Sequence, residues 1–198
     1  MTNATYIVTD IEADGGTPGT HSMIAFASVA VAANGHMLGE FEATILPLEN
    51  ATTDSKTMAW WAGRPEAWLA ATRHARPAET VMQEFVAWVK QFPSPIFAAH
   101  PLNFDAMWIN YYLRRYTKYG VTEGMHVSDR LFSHIGLCLR SYGAAILGKP
   151  VTDCEADIYP PEWLGHHPHT HRAIDDARGY ASLLVKLFTI SADRIRRL

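Results

Sequence analysis

Two acidic residues near the start of the chain have a spacing that could bind a metal ion. Residues 6–12 (Tyr-Ile-Val-Thr-Asp-Ile-Glu) begin with the aromatic and β-branched types of a buried strand and end in Asp10 and Glu12. Side chains two residues apart on an extended backbone point to the same face, so the two carboxylates would lie side by side. Such like charges repel unless a cation separates them, and Mg²⁺ and Mn²⁺ prefer carboxylate oxygens. The pair therefore predicts a divalent-cation site.

Three later residues could complete this site. Asp105 lies in the first turn of a predicted helix that follows a buried strand, and Asp176 lies in the first turn of the last predicted helix. His171 precedes Asp176 by five residues, which would be about 500° of ideal helix, so the two would not share a helical face. We therefore expect His171 on the loop before that helix, from which it can reach a site that Asp176 helps to build.

Each of these residues also has an ordinary structural interpretation. About one D-x-E pattern is expected by chance in a chain of this length, so Asp10 and Glu12 could form a solvated strand end. Asp105 or Asp176 could simply stabilise a helix N-terminus, and Asp175 could replace Asp176 as a ligand. What favours the metal interpretation is the ordered set, with every member at a strand end or a helix start, where sites usually form.

The histidines near the last helix allow a different interpretation. Histidine is a common zinc ligand, but this run is interrupted by Pro168 and has no cysteine partner. The residues concerned are His166, His167, His169 and His171. For the first three, the favoured interpretation is a polar loop that happens to be rich in histidine.

The elements that must position these residues begin with three predicted strands. The first covers residues 6–12, the second residues 22–33 and the third residues 36–46. Asn34-Gly35, between the last two, is a strong hairpin signal. At least two of the three strands are therefore antiparallel.

Helices and strands alternate after this point, and the pattern predicts an α/β sheet with helices on its faces. Residues 149–170 are rich in Pro, Gly and His, and so long a loop in a compact domain is usually functional or a lid. The predicted helices start near residues 58 and 65 and cover residues 76–92, 103–119, 129–147 and 172–188, with strands at 95–99 and 125–128 and a basic tail at 191–198.

The composition limits the class of protein. The 198 residues are 48% hydrophobic and 19% charged, which is typical of one globular domain with a sizeable core. The net charge of −3 gives no global attraction for nucleic acid, so a polyanion would need local Arg and Lys or a metal. Cys138 and Cys154 form no metal-type pair, and no run approaches the ~20 apolar residues of a membrane helix. We expect a cytoplasmic protein without a membrane partner.

The ordered set of motifs resembles the DnaQ-like (DEDD) 3′→5′ exonuclease superfamily, in its DEDDh branch. The motifs are Asp10-x-Glu12, Phe104-Asp105 and His171-x4-Asp176, and the resemblance spans nearly the whole chain. Thr57-Met-Ala-Trp-Trp61, Asp129 and the Trp-rich middle are similar to a bacterial and phage exoribonuclease-like branch. The resemblance implies an RNase H-like fold, a mixed central β-sheet flanked by helices, with residues 1–198 as one exonuclease domain.

The resemblance also implies roles for the motif residues. Asp10, Glu12 and Asp176 would hold one Mg²⁺ or Mn²⁺ ion, while Asp10 and Asp105 would reach a second. Two metal ions roughly 3.5–4 Å apart stabilise the attacking and leaving oxygens of a phosphoryl displacement. His171 would be the general base, since a histidine pKa near 6.5 suits proton transfer at neutral pH.

Four residues are candidates for substrate contacts. Ala13 and Asp14 stand where commoner family members have Thr-Gly, so backbone contacts there are in question, and Pro101 replaces an asparagine of the middle motif. Met23 lies where the family presents an apolar residue to the terminal base. Trp61, with Trp60 beside it, could stack on bases. Core packing is an equal alternative for Met23, and core or dimer packing for the tryptophans.

We therefore predict a metal-dependent 3′→5′ exonuclease that releases 5′-mononucleotides from single-stranded or 3′-terminal RNA or DNA. One alternative is a catalytically silent nucleic-acid-binding module of the same fold. Another is a zinc-dependent hydrolase that uses the histidines of residues 166–171. The choice between RNA and DNA, and whether two copies of the chain form a homodimer, stay open.

Overall fold

The computed structural model describes residues 4–133 and 135–196, which build a mixed five-stranded sheet. The strand order is β3-β2-β1-β4-β5, with β1, β2 and β3 antiparallel and with β4 and β5 parallel to β1. The predicted mixed sheet with flanking helices is confirmed. The strands are β1 (Thr5–Ala13), β2 (Met23–Ala32), β3 (Met37–Thr44), β4 (Pro95–Ala99) and β5 (Leu137–Cys138).

Helices cover both faces of this sheet. Strand β1 alternates its apolar side chains between the faces, so that Ile7 packs toward α3 and α4 while Val8 packs toward α6. The helices are α1 (Ser55–Ala62), α2 (Pro65–Thr72), α3 (Ala78–Val89), α4 (Leu102–Tyr116), α5 (Leu139–Leu147) and α6 (Ala173–Ile195).

The long loop before α6 is packed against the protein. It contains three short 3₁₀ helices, Val151–Asp153, Ala156–Ile158 and Pro161–Leu164. Cys154 and Tyr159 are buried in a cluster with Leu183 and Leu187 of α6. The loop therefore carries the chain across α6 to the point where that helix begins.

The segment between α4 and α5 corrects two predictions. Residues 125–128 form a turn, closed by the Val127 N–H that donates to the Gly124 carbonyl, and not a strand. The helix predicted over 129–147 begins only at Leu139, and residue 134 lies outside the described residues. Leu131 and Phe132, at the start of the predicted helix, are buried from an irregular loop.

The last helix is longer than predicted. Helix α6 continues through Ile195, so most of the predicted basic tail is helical, and residues 197–198 of that tail lie outside the described residues. Within residues 4–133 and 135–196, the helices are too short or too polar to cross a membrane.

Candidate active site

Three carboxylates from two elements converge at one end of the sheet. Asp10 and Glu12 leave β1 on the same face, and Asp176 approaches from the first turn of α6. One carboxylate oxygen of each residue lies within 4.8 Å of one such oxygen of the other two. Glu12 and Asp176 are buried, while Asp10 keeps part of its surface accessible. The structure thus brings together the first and third predicted motifs.

Asp105 lies beside this group and is held by the main chain of β1. It stands in the first turn of α4, and its Oδ1 accepts a hydrogen bond of 3.1 Å from the Ile11 N–H. Ile11 separates Asp10 from Glu12, so this bond fixes the carboxylate against the first motif. Asp105 is not a member of the three-carboxylate group, but its negative charge raises the pKa of Asp10.

Burial and neighbouring negative charges raise the pKa values of the buried carboxylates from β1 and α4. Burial raises the pKa of Asp10, and the charges of Asp105, Glu12 and Asp176 raise it further. Burial and the charges of Asp176 and Asp105 raise the pKa of Glu12. Burial raises the pKa of Asp105 to about 8, against the opposing effect of the Ile11 hydrogen bond. Protons or cations are therefore needed to balance the charge of this group.

His171 lies at the edge of the carboxylate group, on the loop before α6. Arg172 is the N-cap of the helix, and His171 has a left-handed backbone with φ of +58°. A non-glycine residue in that region is uncommon and is often found at functional sites. Burial lowers the pKa of His171, and the neighbouring His169 lowers it further. The loop position expected for His171 is the observed one.

His169, which the favoured interpretation left in a polar loop, contacts Asp176. Its Nδ1 is 3.0 Å from Asp176 Oδ1, and the centroids of the His169 and His171 rings are 4.6 Å apart. The proximity of Asp176 raises the pKa of His169, because the carboxylate favours the imidazolium. His169 reaches the site because the loop turns there, a feature that spacing along the chain does not encode.

Of the two adjacent tryptophans, Trp60 faces the site. Its ring centroid is 4.7 Å from that of His171, and the guanidinium of Arg64 lies 4.1 Å from the Trp60 centroid. Trp60 is 37% exposed, whereas Trp61 is buried and donates its indole N–H to the Ala13 carbonyl. The helical spacing could have predicted that Trp61 is the buried tryptophan, since Met58 and Trp61 lie on the same inward face of α1.

The remaining candidates for substrate contacts are mainly structural here. Asp14 is buried, and its Oδ1 accepts a 2.6 Å hydrogen bond from the Ser22 N–H. The Ala13 carbonyl is occupied by the Trp61 indole. Met23 is 0% exposed and lies in the core, with its N–H donating to the Tyr112 hydroxyl. These residues shape the loop after β1, and a contact between Met23 and a base would require the side chain to become exposed.

Two groups of competing residues point away from the carboxylates. Asp175 Oδ2 accepts a hydrogen bond of 2.9 Å from the Thr170 hydroxyl, while its neighbour Asp176 points inward. His167 lines a separate surface pocket that also contains Glu40 and Arg178. Among the described residues, only His169 and His171 of the loop histidines join a candidate metal group.

The carboxylate group has the chemistry of a site for hard divalent cations. Asp10, Glu12 and Asp176 together present carboxylate oxygens, the ligands that Mg²⁺ and Mn²⁺ prefer. The Oδ1 atom of Asp176 is buried and makes no aligned hydrogen bond with the described residues. Several buried carboxylates side by side are unfavourable without a counter-charge, so the residues present fit a bound cation.

A groove on the protein surface lies between the loop after β1 and helix α4, the helix that also supplies Asp105. It has a volume of about 690 Å³ and is lined by Thr17 and Pro18 on one side and by Met107, Tyr111, Arg114 and Arg115 on the other. Arg114 pairs with Glu123 at 2.8 Å. Arg115 instead donates to the hydroxyls of Tyr116 and Tyr111, and makes no ion pair with the described carboxylates. The groove is aromatic and cationic.

Comparison with known proteins gives similarity in fold alone. No protein-family model matches the chain, and no curated protein matches it in sequence. Among solved structures, a 3′-exonuclease from work on 3′-end recognition of the histone mRNA stem-loop is 12% identical with a TM-score of 0.64, over 93% of this chain and 81% of that one. Exonuclease I of E. coli in complex with a dT13 oligonucleotide is 13% identical with a TM-score of 0.65, over 98% of this chain and 43% of that one.

A second form of E. coli exonuclease I, bound to zinc ion and single-stranded DNA, is 15% identical with a TM-score of 0.63, over 95% of this chain. This chain spans 41% of the length of that protein. These similarities confirm the RNase H-like fold that the resemblance implied.

Proposed function

We propose that the protein is a metal-dependent 3′→5′ exonuclease that releases 5′-mononucleotides from single-stranded nucleic acid. The observation that carries this proposal is the convergence of Asp10, Glu12 and Asp176 within 4.8 Å, with Asp105 beside them, on a fold shared with 3′-exonucleases. The DEDDh assignment rests on His171 at the edge of this group.

The carboxylates are proposed to hold two Mg²⁺ or Mn²⁺ ions. Asp10, Glu12 and Asp176 would bind one ion, and Asp10 with Asp105 would bind the other. Divalent ions in such a site activate a water nucleophile and stabilise charge on the reacting phosphate. The mutual repulsion that raises the pKa of Asp10 and Glu12 is relieved when a cation is present, which supports this assignment.

His171 is proposed to accept the proton of the attacking water. A general base must be neutral before it can accept a proton, and burial lowers the pKa of His171 from its ordinary value, which favours the neutral imidazole at pH 7. The Trp60 ring packs edge-on against the imidazole at 4.7 Å and restricts its orientation. Trp60 thus acts as a positioning residue for His171.

The nucleic acid is proposed to lie along the groove beside α4. Arg115 is about 15 Å along the helix from Asp105, from ten residues at 1.5 Å each, so it lies beyond the nucleotide that is cleaved. Aromatic side chains stack on bases without regard to sequence, and arginine attracts the phosphates. Tyr111 and Arg115 supply these two features side by side.

The proposal is tested by digesting 5′-labelled single-stranded RNA and DNA oligomers with Mn²⁺. The wild type should produce a ladder that shortens from the 3′ end, and Asp10→Asn should produce none because a ligand charge is lost. Asp193→Asn is the matched control, since Asp193 lies near the C-terminal end of α6 and outside the carboxylate group. It should leave the ladder unchanged.

The two alternatives give other results in the same assay. Intact oligomers with every protein and metal, together with retained binding, would indicate the silent binding module. Activity that is removed by EDTA and restored by Zn²⁺ but not by Mg²⁺ or Mn²⁺ would indicate the zinc-dependent hydrolase. A ladder that persists in Asp10→Asn would contradict the proposed site.

A further inference from the structure

We infer that His169, His171 and Asp176 form a second metal site, selective for an imidazole-preferring ion such as Zn²⁺. One ligand atom of each residue lies within 4.8 Å of those of the other two. Two imidazoles with one carboxylate are a typical donor set for Zn²⁺ and a poor one for Mg²⁺. This group shares Asp176 with the three-carboxylate group but otherwise uses different residues.

The distance between His169 and Asp176 fits two ligands of one ion. In a tetrahedral zinc site with bonds of about 2.0–2.1 Å, neighbouring ligand atoms are about 3.3 Å apart. His169 Nδ1 and Asp176 Oδ1 are 3.0 Å apart, which is the distance of an ion pair and is also close to that between two ligands of one ion. A cation that displaces the imidazole proton would therefore find both ligand atoms near their bound positions.

Asp176 supplies the buried carboxylate of this group. Its side chain is 2% exposed, whereas that of His169 is 41% exposed. An ion could therefore enter from the solvent side, past His169, and be anchored by the buried carboxylate. The half-buried position of His171 leaves room for a water as a fourth ligand.

The backbone around the two histidines is held in place. Thr170, which separates them, donates its hydroxyl hydrogen bond to Asp175 at the start of α6. The His169 and His171 rings lie 4.6 Å apart, and the Trp60 ring packs edge-on against His171 at 4.7 Å. Little reorganisation is needed for both imidazoles to reach the same ion.

Occupation of this site would inhibit the proposed nuclease, a consequence that rests on the proposed function. Zinc bound here would withdraw Asp176 from the carboxylate group and would occupy the imidazole of His171. The proposed base and one proposed ligand would be blocked together. Zn²⁺ should therefore compete with Mn²⁺ through the shared Asp176.

The experiment measures metal binding directly, without reference to activity. Zn²⁺ and Mn²⁺ are titrated into the purified full chain by calorimetry, and Co²⁺ is added as a spectroscopic substitute for zinc. His169→Gln should weaken Zn²⁺ binding by at least roughly 10- to 100-fold, the range that even outer contacts of a metal site are worth, while Mn²⁺ binding is retained. The strong visible absorption of tetrahedral Co²⁺ should be present in the wild type and lost in His169→Gln.

Two further variants separate this inference from the proposed function. His167→Gln changes a histidine of the same loop that lies outside the group, and should bind Zn²⁺ as the wild type does. Asp10→Asn should weaken Mn²⁺ binding and retain the Co²⁺ spectrum. Unchanged Zn²⁺ affinity in His169→Gln, or a Co²⁺ spectrum that disappears in Asp10→Asn and survives in His169→Gln, would overturn the histidine site whatever the nuclease assay shows.

Discussion

His171 combines three features that suit a general base: a strained backbone, a partly buried ring and a pKa below the ordinary histidine value. We expect His171→Ala to lower the turnover number by roughly 10²–10⁴-fold, the usual contribution of a general base. Mn²⁺ binding to the carboxylates should be retained. Single-turnover digestion at saturating Mn²⁺ measures the loss, and calorimetry measures the retained binding.

The pH dependence of the wild type gives a second measurement of the same residue. The neutral imidazole is the active form, so the rate should rise with pH through the pKa of His171, with a midpoint below the ordinary histidine value of about 6.5. This acidic limb should be absent from the residual activity of His171→Ala. If the rate of that variant still rises with pH over the same range, the rise belongs to a titratable group other than His171.

Single residues differ in how far the sequence could predict them. Asp10 and Glu12 share a face because a strand alternates its side chains, which is a local rule, and Asp176 was placed by its position at a helix start. His169 could not be predicted, because it reaches Asp176 through the path of an irregular loop. Trp60 and Trp61 were distinguishable only by the inward face that Trp61 shares with Met58.

Helix α4 connects the carboxylates to the surface, since Asp105 lies in its first turn and Arg115 near its end. We expect Arg115→Ala to weaken binding of a long single-stranded oligomer and to reduce the slope of log affinity against log salt by about 0.7, the value of one phosphate contact. Affinity for a dinucleotide should not change, because so short a substrate does not reach Arg115. Fluorescence anisotropy over a range of salt concentrations provides the measurement.

Arg73→Ala is the matched control for this variant. Arg73 is exposed on α2's C-cap, and it lines a different surface pocket from Arg115. It should leave both affinities and the salt slope unchanged. Equal losses in the two variants would mean that positive charge in general, and not the groove beside α4, attracts the nucleic acid.

Elements with clear local signals in the sequence were predictable, and elements that depend on contacts with distant residues were not. Strand β4 was predicted with its observed bounds because it is short, apolar and bordered by Pro95 and His100-Pro101. The helix predicted over residues 129–147 was wrong before Leu139, because Leu131 and Phe132 fill the core from an irregular loop and not from a helix. Strand β5 has two residues and exists only through pairing with β4, so no pattern could indicate it.

The whole molecule places like charges together at the meeting point of its main layers. The end of β1, the start of α4 and the start of α6 each contribute a carboxylate to this point. Burial strengthens the repulsion between these carboxylates, which destabilises the folded state. The hydrophobic layers on both faces of the sheet must offset that free energy. That residues 1–198 form one domain, and that two copies pair, stay predictions.

This repulsion predicts how the stability of the metal-free protein depends on pH. Burial raises the pKa of Asp105 to about 8, whereas an unfolded aspartate titrates near 3.9, so the folded state alone holds this proton between those values. Stability should therefore fall as the pH rises from about 4 through about 8. Asp105→Asn removes the titration and can retain the Ile11 hydrogen bond, so at pH 9 it should unfold at a higher temperature than the wild type, with the difference shrinking toward pH 5. Thermal unfolding in EDTA measures this, and Asp175→Asn, outside the group, should follow the wild type. A difference between Asp105→Asn and wild type that is the same at every pH would contradict the raised pKa.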